Sequence, residues 1–458
     1  MARGAPPRVR LDYTGCLRER VGEAGFDERR IGEAARAAEG GRRDLRRALD
    51  QGRYGFDAVL DDTRAIAAAV REGRRLARLG DTLALDGIGG SALGAQALQT
   101  ALRPKSKRLV VFDNVDPEGV AARLAALDAR RTVVAAITKS GSTAETTANL
   151  LVLMQWMRRR LGARHVQRWT AVTDPEKGDL LALARRLDIP TLHIPPNVGG
   201  RFSVLTAVGL VPAAFLGLDV PALMQGARDM RAHCWSAPPA ENLGVMGAVL
   251  LHLFATERQR RIQVVMPYAD ALLHLADWYR QLWAESLGKR LDRKGRVVET
   301  GQTPVTSMGA TDQHSQVQLY VEGPPDKILT FLEVEAWREE VVIPRLFGDL
   351  ASTSYLGGKR LGELLRAELR GTEAALTTAG RPNFTYKLPR VSAHVMGQLI
   401  YLFEFQTALS GELYGIDAFD QPGVEAGKVA TYALMRRKGY VEEARRLRAD
   451  LARPRAII

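Results

Sequence analysis

Cysteine is almost absent from the sequence: only Cys16 and Cys234 occur among its 458 residues, and they form no CxxC pattern. Disulfide-stabilised secreted domains and cysteine-rich zinc modules both need several closely spaced cysteines. Two isolated thiols exclude these two classes of protein. They are typical of a reducing compartment, which predicts a cytoplasmic location.

Histidine is also scarce, and the seven histidines form neither an HxH nor an HExxH pattern. Because these spacings are typical of metal sites, the sequence predicts no metal ion. Nucleotide fingerprints are missing too. The glycine-rich loop at 87–94 has Ala92 where a dinucleotide-binding GxGxxG motif needs glycine, and Ala95 where a P-loop needs lysine.

The longest uncharged run extends from Phe202 to Leu218. Pro212 interrupts it, Arg201 and Asp219 bracket it, and no second run of membrane-spanning length follows. A membrane span needs about 20 consecutive apolar residues. We therefore interpret the run as a buried helix and expect no membrane partner.

Acidic residues are outnumbered, with 52 Asp and Glu against 65 Lys and Arg, a formal net charge of +13. Such an excess favours anionic ligands. The arginines are spread along the chain, however, and no nucleic-acid-binding motif accompanies them. The sequence therefore predicts a small anionic partner rather than a nucleic acid.

From Asp81 onwards, short apolar runs alternate with helical stretches. This alternation is typical of parallel sheets that are covered by helices on both faces. We predict an α/β protein with an N-terminal helical arm at 1–74, α/β domains at 75–225 and 240–425, and a basic C-terminal helical tail at 426–458.

The segment TKSGSTAET, which joins a predicted strand to a predicted helix, is suited to hold a phosphate group. Hydroxyls, backbone N–H groups and a helix N-terminus together bind phosphate monoesters. An ordinary N-cap would use only one hydroxyl, whereas several surround the ammonium group here. The residues concerned are Thr138, Lys139, Ser140 and Thr143.

Two glycine-rich loops have two interpretations each. GIGGS, which contains Gly90 and Ser91, is either a plain tight turn or an anion site at a helix N-terminus. NVGGRFS places Arg201 after Gly200. Glycine permits close backbone approach and arginine offers a fixed fork for an oxyanion, although a helix-start turn with a surface arginine fits equally well.

The helix DALLHLADWYRQLWAESLGK carries a carboxylate in an unusual place. Trp278 and Leu282 belong to an apolar stripe at helical spacing, and Glu285 lies on the edge of that stripe. A carboxylate there costs free energy unless something uses it. Glu285 is either half of a helical ion pair with Lys289 or a proton carrier, with Gln281 one turn earlier on the same side.

Two further segments contain candidate catalytic residues. GATDQHS contains His314, and a lone histidine is more often structural than catalytic. FDQPGVEAGK contains Gln421 and ends in Lys428. A lysine ammonium can serve as a point charge or proton donor where the fork of arginine cannot.

Six segments together agree in order and character with one family. They are GIGGS at 87–91, TKSGSTAET at 138–146, VGGRFS at 198–203, QLWAESLGK at 281–289, GATDQHS at 309–315 and FDQPGVEAGK at 419–428. On these motifs, which span most of the chain, the sequence resembles the phosphoglucose isomerases of the compact bacterial type. Thr138 and Ser140 stand where serine and threonine are common, a change that preserves both hydroxyls.

The resemblance implies two sugar-isomerase (SIS) domains, each a three-layer αβα unit with a mainly parallel sheet. It also implies interconversion of glucose 6-phosphate and fructose 6-phosphate, in glycolysis and gluconeogenesis, without a metal or an organic cofactor. Glu285 would move a proton between C2 and C1, and Arg201 would stabilise the enediolate. The residues implied to bind the phosphosugar substrate are Gly90, Ser91, Thr138, Lys139, Ser140, Thr143, Gly200, Gln281 and Gln421.

The resemblance further implies that His314 and Lys428 assist opening of the sugar ring, with His314 supplied by the neighbouring subunit of a homodimer. Two alternatives stay open. An isomerase with relaxed stereochemistry at C2 would also accept mannose 6-phosphate. A non-catalytic phosphosugar sensor would keep the hydroxyls of 138–143 but would need neither Glu285 nor His314.

Overall fold

The computed structural model describes residues 8–139, 141, 143–453 and 456. The described residues form two five-stranded sheets, a two-stranded ribbon and the helices around them. The strands are β1 Arg10–Asp12, β2 Thr82–Asp86, β3 Arg108–Phe112, β4 Thr132–Ile137, β5 Trp169–Thr173, β6 Thr191–His193, β7 Ile262–Pro267, β8 Lys289–Leu291, β9 Val297–Thr300, β10 Thr303–Thr306, β11 Lys327–Val334 and β12 Asn383–Leu388.

The α-helices are α1 Arg18–Val21, α2 Glu28–Ala37, α3 Glu39–Asp50, α4 Thr63–Leu79, α5 Leu93–Leu102, α6 Pro117–Ala125, α7 Ala144–Leu161, α8 Asp179–Leu187, α9 Ala207–Phe215, α10 Val220–Ser236, α11 Leu243–Glu257, α12 Leu273–Leu287, α13 Val317–Glu322, α14 Ala351–Ser354, α15 Leu361–Thr378, α16 Ala393–Tyr414, α17 Glu425–Leu434 and α18 Val441–Leu451.

The first sheet is entirely parallel, with the strand order β3–β2–β4–β5–β6. Every residue of β2, β4 and β5 is buried, because helices cover both faces of a parallel sheet. On one face Trp156 and Met157 of α7 pack in a cluster with Trp169 of β5. The predicted parallel, helix-covered sheet is confirmed.

The order of the first sheet brings two predicted loops together. From β2 the chain moves to β3 on one side and then to β4 on the other side. Such a reversal opens a crevice at the carboxyl ends of the two central strands, where ligands bind in open parallel sheets. Because β2 ends at Asp86 and β4 at Ile137, GIGGS and TKSGST start at the two edges of this crevice.

The second sheet has the order β1–β12–β11–β7–β10, with β1 antiparallel and the other pairs parallel. All eight residues of β11 are buried. The apolar runs RIQVVMPY, KILTFLEVE and NFTYKLP predict β7, β11 and β12, whereas β10 is not predicted. The first 74 residues are predicted as a helical arm. Instead β1 joins the second sheet, where the Lys387 ammonium donates to Oδ2 of Asp12 at 2.7 Å.

Two further segments are helical. The uncharged run contains α9, whose nine residues are all buried, in agreement with the prediction of a buried helix. The pattern QVQLYV, which alternates like a strand, forms α13. In the part of the chain that the structure describes, no helix combines the length and apolar character that a membrane span requires.

The chain divides into two compact units, one that runs up to Ala418 and one that begins at Phe419. The second unit contains α17 and α18. The segment predicted as a basic C-terminal helical tail contains these two helices, and Gly439 between them adopts a φ of 95°, a conformation that glycine tolerates best. The domain boundaries given above stay predictions.

Candidate active site

The helix that carries Glu285, α12, packs against α5 and α16. Its apolar stripe is buried as predicted, with the rings of Tyr279 and Trp283 stacked at 5.7 Å between centroids. The Tyr279 hydroxyl donates to Oε1 of Gln263 at 3.0 Å. Glu285 lies at the edge of the stripe with 35% of its side chain exposed. The buried face of the helix therefore fixes the position of Glu285, and the carboxylate itself remains accessible to solvent.

Gln281 and Glu285 point the same way, one helical turn apart. Nε2 of Gln281 donates to Oε1 of Glu285 at 3.2 Å. Oε1 of Gln281 is buried and has no hydrogen-bond partner among the residues described. A Cβ atom added to Gly89, whose φ is 57°, would lie 2.7 Å from Nε2 of Gln281. The GIGGS loop therefore touches the helix that carries the carboxylate.

Arg201 lies beside Glu285 and is almost completely buried, with 2% of its surface exposed. Its Nη1 donates to Oε2 of Glu285 at 3.4 Å. Its Nε donates to Oγ of Ser286 at 2.8 Å, and its Nη2 donates to the carbonyl oxygen of Ala418 at 2.7 Å. A cation and a carboxylate thus sit side by side at the end of α12.

The GIGGS and VGGRFS loops meet backbone to backbone. A Cβ atom added to Gly90 would lie 2.2 Å from the carbonyl carbon of Gly200 and 2.6 Å from the amide nitrogen of Arg201. Only glycine at position 90 permits this approach. Ser91 ends the short 3₁₀ turn at 89–91 and is partly exposed. The first-sheet crevice is therefore directly continuous with the arginine.

The predicted phosphate loop starts at the carboxyl end of β4. Thr138 is buried, and its Oγ1 lies 3.4 Å from Oγ1 of Thr143, the residue that precedes α7. The Thr173 hydroxyl donates to the carbonyl oxygen of Thr138 at 2.7 Å, which fixes the start of the loop. The predicted phosphate ligand Ser140 lies outside the described residues.

Lys139 connects the phosphate loop to the segment before Arg201. Its Nζ donates to the carbonyl oxygens of Pro196 at 2.6 Å and Val198 at 2.9 Å. Burial lowers the pKa of the Lys139 ammonium below its ordinary value, and the nearby Asp174 carboxylate opposes this effect. The ammonium thus helps to fix the relative position of two of the loops that the sequence singles out.

Lys289, the possible ion-pair partner of Glu285, has main-chain acceptors. Its Nζ donates to the carbonyl oxygens of Glu285 and Ser286, each at 2.8 Å. Cations at a helix C-terminus satisfy carbonyl groups that have no partner within the helix. Lys289 therefore stabilises the last turn of α12.

His314 is exposed at the end of a short 3₁₀ turn at 311–314, and its side chain makes no hydrogen bond or ion pair with any residue that the structure describes. Asp312 shapes this turn by accepting from the Met308 amide at 2.7 Å and the Ser315 hydroxyl at 2.5 Å. Burial raises the pKa of the Asp312 carboxyl, but these hydrogen bonds outweigh burial and hold it below its ordinary value.

Gln421 and Lys428 belong to the second unit. Gln421 precedes a short 3₁₀ turn at 422–424 and is exposed. Lys428 lies on α17, where its Nζ donates to Oε1 of Glu425 at 2.8 Å. Within the ranges described, no three His, Cys, Asp or Glu side chains lie together as a metal ion would require. The predicted absence of a metal ion and of an organic cofactor stays a prediction.

Sequence reasoning missed two groups that contact Arg201. The carbonyl oxygen of Ala418 has no sequence signal, because every residue carries one. Ser286 has a weak signal: it is a polar residue next to Glu285 on a helix whose neighbouring positions are apolar, and it is completely buried. Buried hydroxyls of this kind usually have a specific partner.

Comparison with known proteins agrees with the sequence motifs and with this geometry. The model of the phosphoglucose isomerase family matches residues 55–443, a range that includes every predicted site residue. The chain belongs to the phosphoglucose isomerase family.

Relatives in this family cover most of the chain. A glucose-6-phosphate isomerase from Carboxydothermus hydrogenoformans is 48% identical over 81% of this chain and 82% of its own. One from Rubrobacter xylanophilus is 44% identical over 94% of this chain and 99% of its own. The crystal structure of a hypothetical protein from Thermus thermophilus is 40% identical and superposes with a TM-score of 0.86, covering 93% of this chain and 100% of that one. The two-sheet α/β fold predicted from the sequence is confirmed.

Proposed function

We propose that this enzyme interconverts glucose 6-phosphate and fructose 6-phosphate by proton transfer through a cis-enediolate. Aldose–ketose isomerisation removes a proton from the carbon next to a carbonyl group, so it needs a base and a cation near the developing oxyanion. The observation that carries the proposal is the 3.4 Å contact between Nη1 of Arg201 and Oε2 of Glu285, beside the first-sheet crevice.

In the proposed chemical step, the Glu285 carboxylate removes the proton on C2 of the open-chain aldose. The bonding electrons form the C1–C2 double bond, and the carbonyl oxygen on C1 becomes an oxyanion that Arg201 stabilises. A proton then passes from the oxygen on C2 to the oxygen on C1, and Glu285 returns its proton to C1 to leave a ketone at C2. The hydrogen bond from Gln281 orients the carboxylate.

We propose that Thr138, Lys139, Ser140 and Thr143 bind the substrate phosphate at the N-terminus of α7, with Gly90, Ser91 and Gly200 around the sugar. The position of the threonines at the carboxyl end of β4 supports this role. Phosphate binding supplies energy at a distance from the reacting carbons and thereby positions C1 and C2.

We further propose that His314 and Lys428 assist ring opening, that Gln421 binds substrate, and that the enzyme is a homodimer in which His314 serves the neighbouring subunit. The exposure of His314, and its lack of a partner in the described part of its own chain, support the role across subunits. The free thiols of Cys16 and Cys234, both buried, support a cytoplasmic location. The reaction belongs to glycolysis and gluconeogenesis.

A coupled assay with fructose 6-phosphate and mannose 6-phosphate, with and without a chelator, tests the reaction. We expect turnover of fructose 6-phosphate that the chelator leaves unchanged. No turnover would contradict the proposal and favour the phosphosugar sensor. Comparable turnover of mannose 6-phosphate would favour the dual-specificity isomerase, and loss of activity with the chelator would show that a metal takes part.

Mixed dimers test the shared site. If His314 crosses to the partner, a dimer of one His314→Ala and one Glu285→Gln subunit has one intact site and one site with both lesions. Random mixing should then restore about a quarter of wild-type activity, because half the dimers are mixed and each has one working site of two. Verified mixed dimers without activity would contradict the arrangement.

A further inference from the structure

We infer that Ser286 is a positioning residue whose hydroxyl fixes the guanidinium of Arg201 against the enediolate. This inference rests on the proposed role of Arg201. The Arg201 Nε donates to Oγ of Ser286 at 2.8 Å, and both residues are almost inaccessible to solvent, at 2% and 0% exposure.

The contacts of the guanidinium have unequal lengths. Nε to Ser286 Oγ and Nη2 to the Ala418 carbonyl oxygen measure 2.8 and 2.7 Å, whereas Nη1 to Glu285 Oε2 measures 3.4 Å. Hydrogen bonds at two different nitrogens of a planar guanidinium fix both its position and its plane. The two short contacts therefore set the orientation of the cation more firmly than Glu285 does.

Ser286 follows Glu285 directly in the last turn of α12, so the base and the anchor of the cation share one rigid segment. Lys289 holds this turn through the carbonyl oxygens of both residues. Because Ser286 holds the guanidinium of Arg201 and is adjacent to Glu285 in the helix, the helix fixes the distance between the carboxylate and the guanidinium. Preorganised groups of this kind stabilise a transition state without further reorganisation.

A merely structural serine would behave differently. If the hydroxyl only satisfied a buried donor, its removal would lower stability and weaken all ligands alike. If it positions Arg201, its removal should weaken binding of the enediolate more than binding of the ground state. Two probes separate these states: a phosphorylated sugar hydroxamate, whose planar group mimics the enediolate, and a sugar-alcohol phosphate, which has no carbonyl carbon.

The test measures kcat, KM and the affinity of both probes for Ser286→Ala in the full-length enzyme. We expect kcat and hydroxamate affinity to fall together by about tenfold or more, because small misplacements of catalytic groups are costly. KM and sugar-alcohol phosphate affinity should stay within about twofold. Equal weakening of both probes, or no change in kcat, would overturn the inference.

Controls use the same chain. Ser410→Ala removes another buried helical hydroxyl, one that donates to the carbonyl oxygen of Gln406 at 2.9 Å, and should change neither probe. Ser286→Thr retains the acceptor and should recover most of kcat. If Ser286→Ala does not fold, Ser286→Cys, with a poor acceptor of similar shape, serves for the same comparison.

Arg201→Lys separates failure of this inference from failure of the proposed function. If Arg201 stabilises the enediolate, Arg201→Lys lowers hydroxamate affinity selectively, and Ser286→Ala adds little to it because the two residues act as one unit. If Arg201→Lys leaves the ratio of the two affinities unchanged, the proposed role of Arg201 is wrong and the inference with it. If Arg201→Lys changes the ratio and Ser286→Ala does not, only the inference about Ser286 is wrong.

Discussion

The two large sheets of this enzyme draw their strands from very different lengths of chain. β2 to β6 of the first sheet come from one continuous stretch, 82–193, whereas the second sheet combines β1, near the start of the chain, with β12 at 383–388. The loops of the first sheet are suited to bind the phosphate, and the helix after β7 of the second sheet carries Glu285. The predicted phosphate ligands thus lie in one continuous stretch of chain, whereas Arg201 and Glu285 come from segments that are 84 residues apart.

The largest effect should come from Glu285→Gln, which separates phosphosugar binding from proton transfer. Glu285→Gln removes the base but leaves the first-sheet loops intact, so kcat should fall by about a thousandfold, within the range of general-base catalysis. Affinity for a sugar-alcohol phosphate, measured by calorimetry, should change by less than about twofold. Glu368→Gln on α15 is the matched control, and near wild-type turnover of Glu285→Gln would refute the assignment.

The next largest effect should come from the contact between the GIGGS loop and the loop that carries Arg201. In Gly90→Ala the new methyl group would lie 2.2 Å from the carbonyl carbon of Gly200, so the loop that carries Arg201 must move. We expect kcat to fall by about a hundredfold. Gly371→Ala, where nothing lies within 4 Å, should leave kinetics unchanged. Wild-type kinetics for Gly90→Ala would show that the loops need not touch.

A smaller and more specific effect should follow at the phosphate loop. Thr138→Val removes one hydroxyl with little change in volume, and KM should rise about tenfold because a hydrogen bond to a charged group is lost. Steady-state kinetics measure this. Thr132→Val, at the other end of β4, removes a buried hydroxyl that donates to the Asp128 carbonyl oxygen and should leave KM unchanged. An unchanged KM for Thr138→Val would place the phosphate elsewhere.

The smallest effect should be on stability, at the edge of the second sheet. Burial raises the pKa of Asp12, but hydrogen bonds from Lys387 and Thr14 outweigh it and lower the pKa from 3.8 to about 2. The carboxylate therefore stabilises the fold above its unfolded pKa, and this contribution is lost as the pH falls towards 2. Because 34% of Asp12 is exposed, Asp12→Asn should cost only about 1 kcal/mol at neutral pH.

Urea unfolding of Asp12→Asn and the parent at neutral and acidic pH measures this effect. The difference between the two proteins should shrink as the pH falls, and kcat should not change at any pH. Lys387→Gln should add no further loss to Asp12→Asn, since the pair is already broken. A loss that grows at low pH would contradict the role of this ion pair.

The same contrast between the sheets explains what the sequence could predict. β2 and β4 of the first sheet are fully buried, mainly apolar runs, and GIGGS and TKSGST follow directly from their ends, so both loops could be placed. β1 and β10 have three and four residues and lie outside the apolar runs that mark the other strands of the sheets. Glu285 could be predicted because its helix has a clear apolar stripe.

The contacts made by Arg201 could not be predicted, because they depend on the tertiary fold. Its acceptors at Ser286 and Ala418 lie 85 and 217 residues away along the chain. The approach of Gly90 to Gly200 likewise depends on how two loops pack. Two adjacent glycines in a sequence do not indicate which backbone segment they contact. Local pattern nominates candidate residues, and long-range packing determines their geometry.

The pairing of β1 with β12 also has a consequence for synthesis. Asp12 and Lys387, which bond across this pair, are 375 residues apart. At about 5–20 residues per second, the ribosome makes the first strand roughly 20 to 80 s before its partner. The second sheet therefore cannot close at this edge until most of the chain has left the ribosome. During that interval β1 is an unpaired strand, the kind of segment that chaperones protect from aggregation.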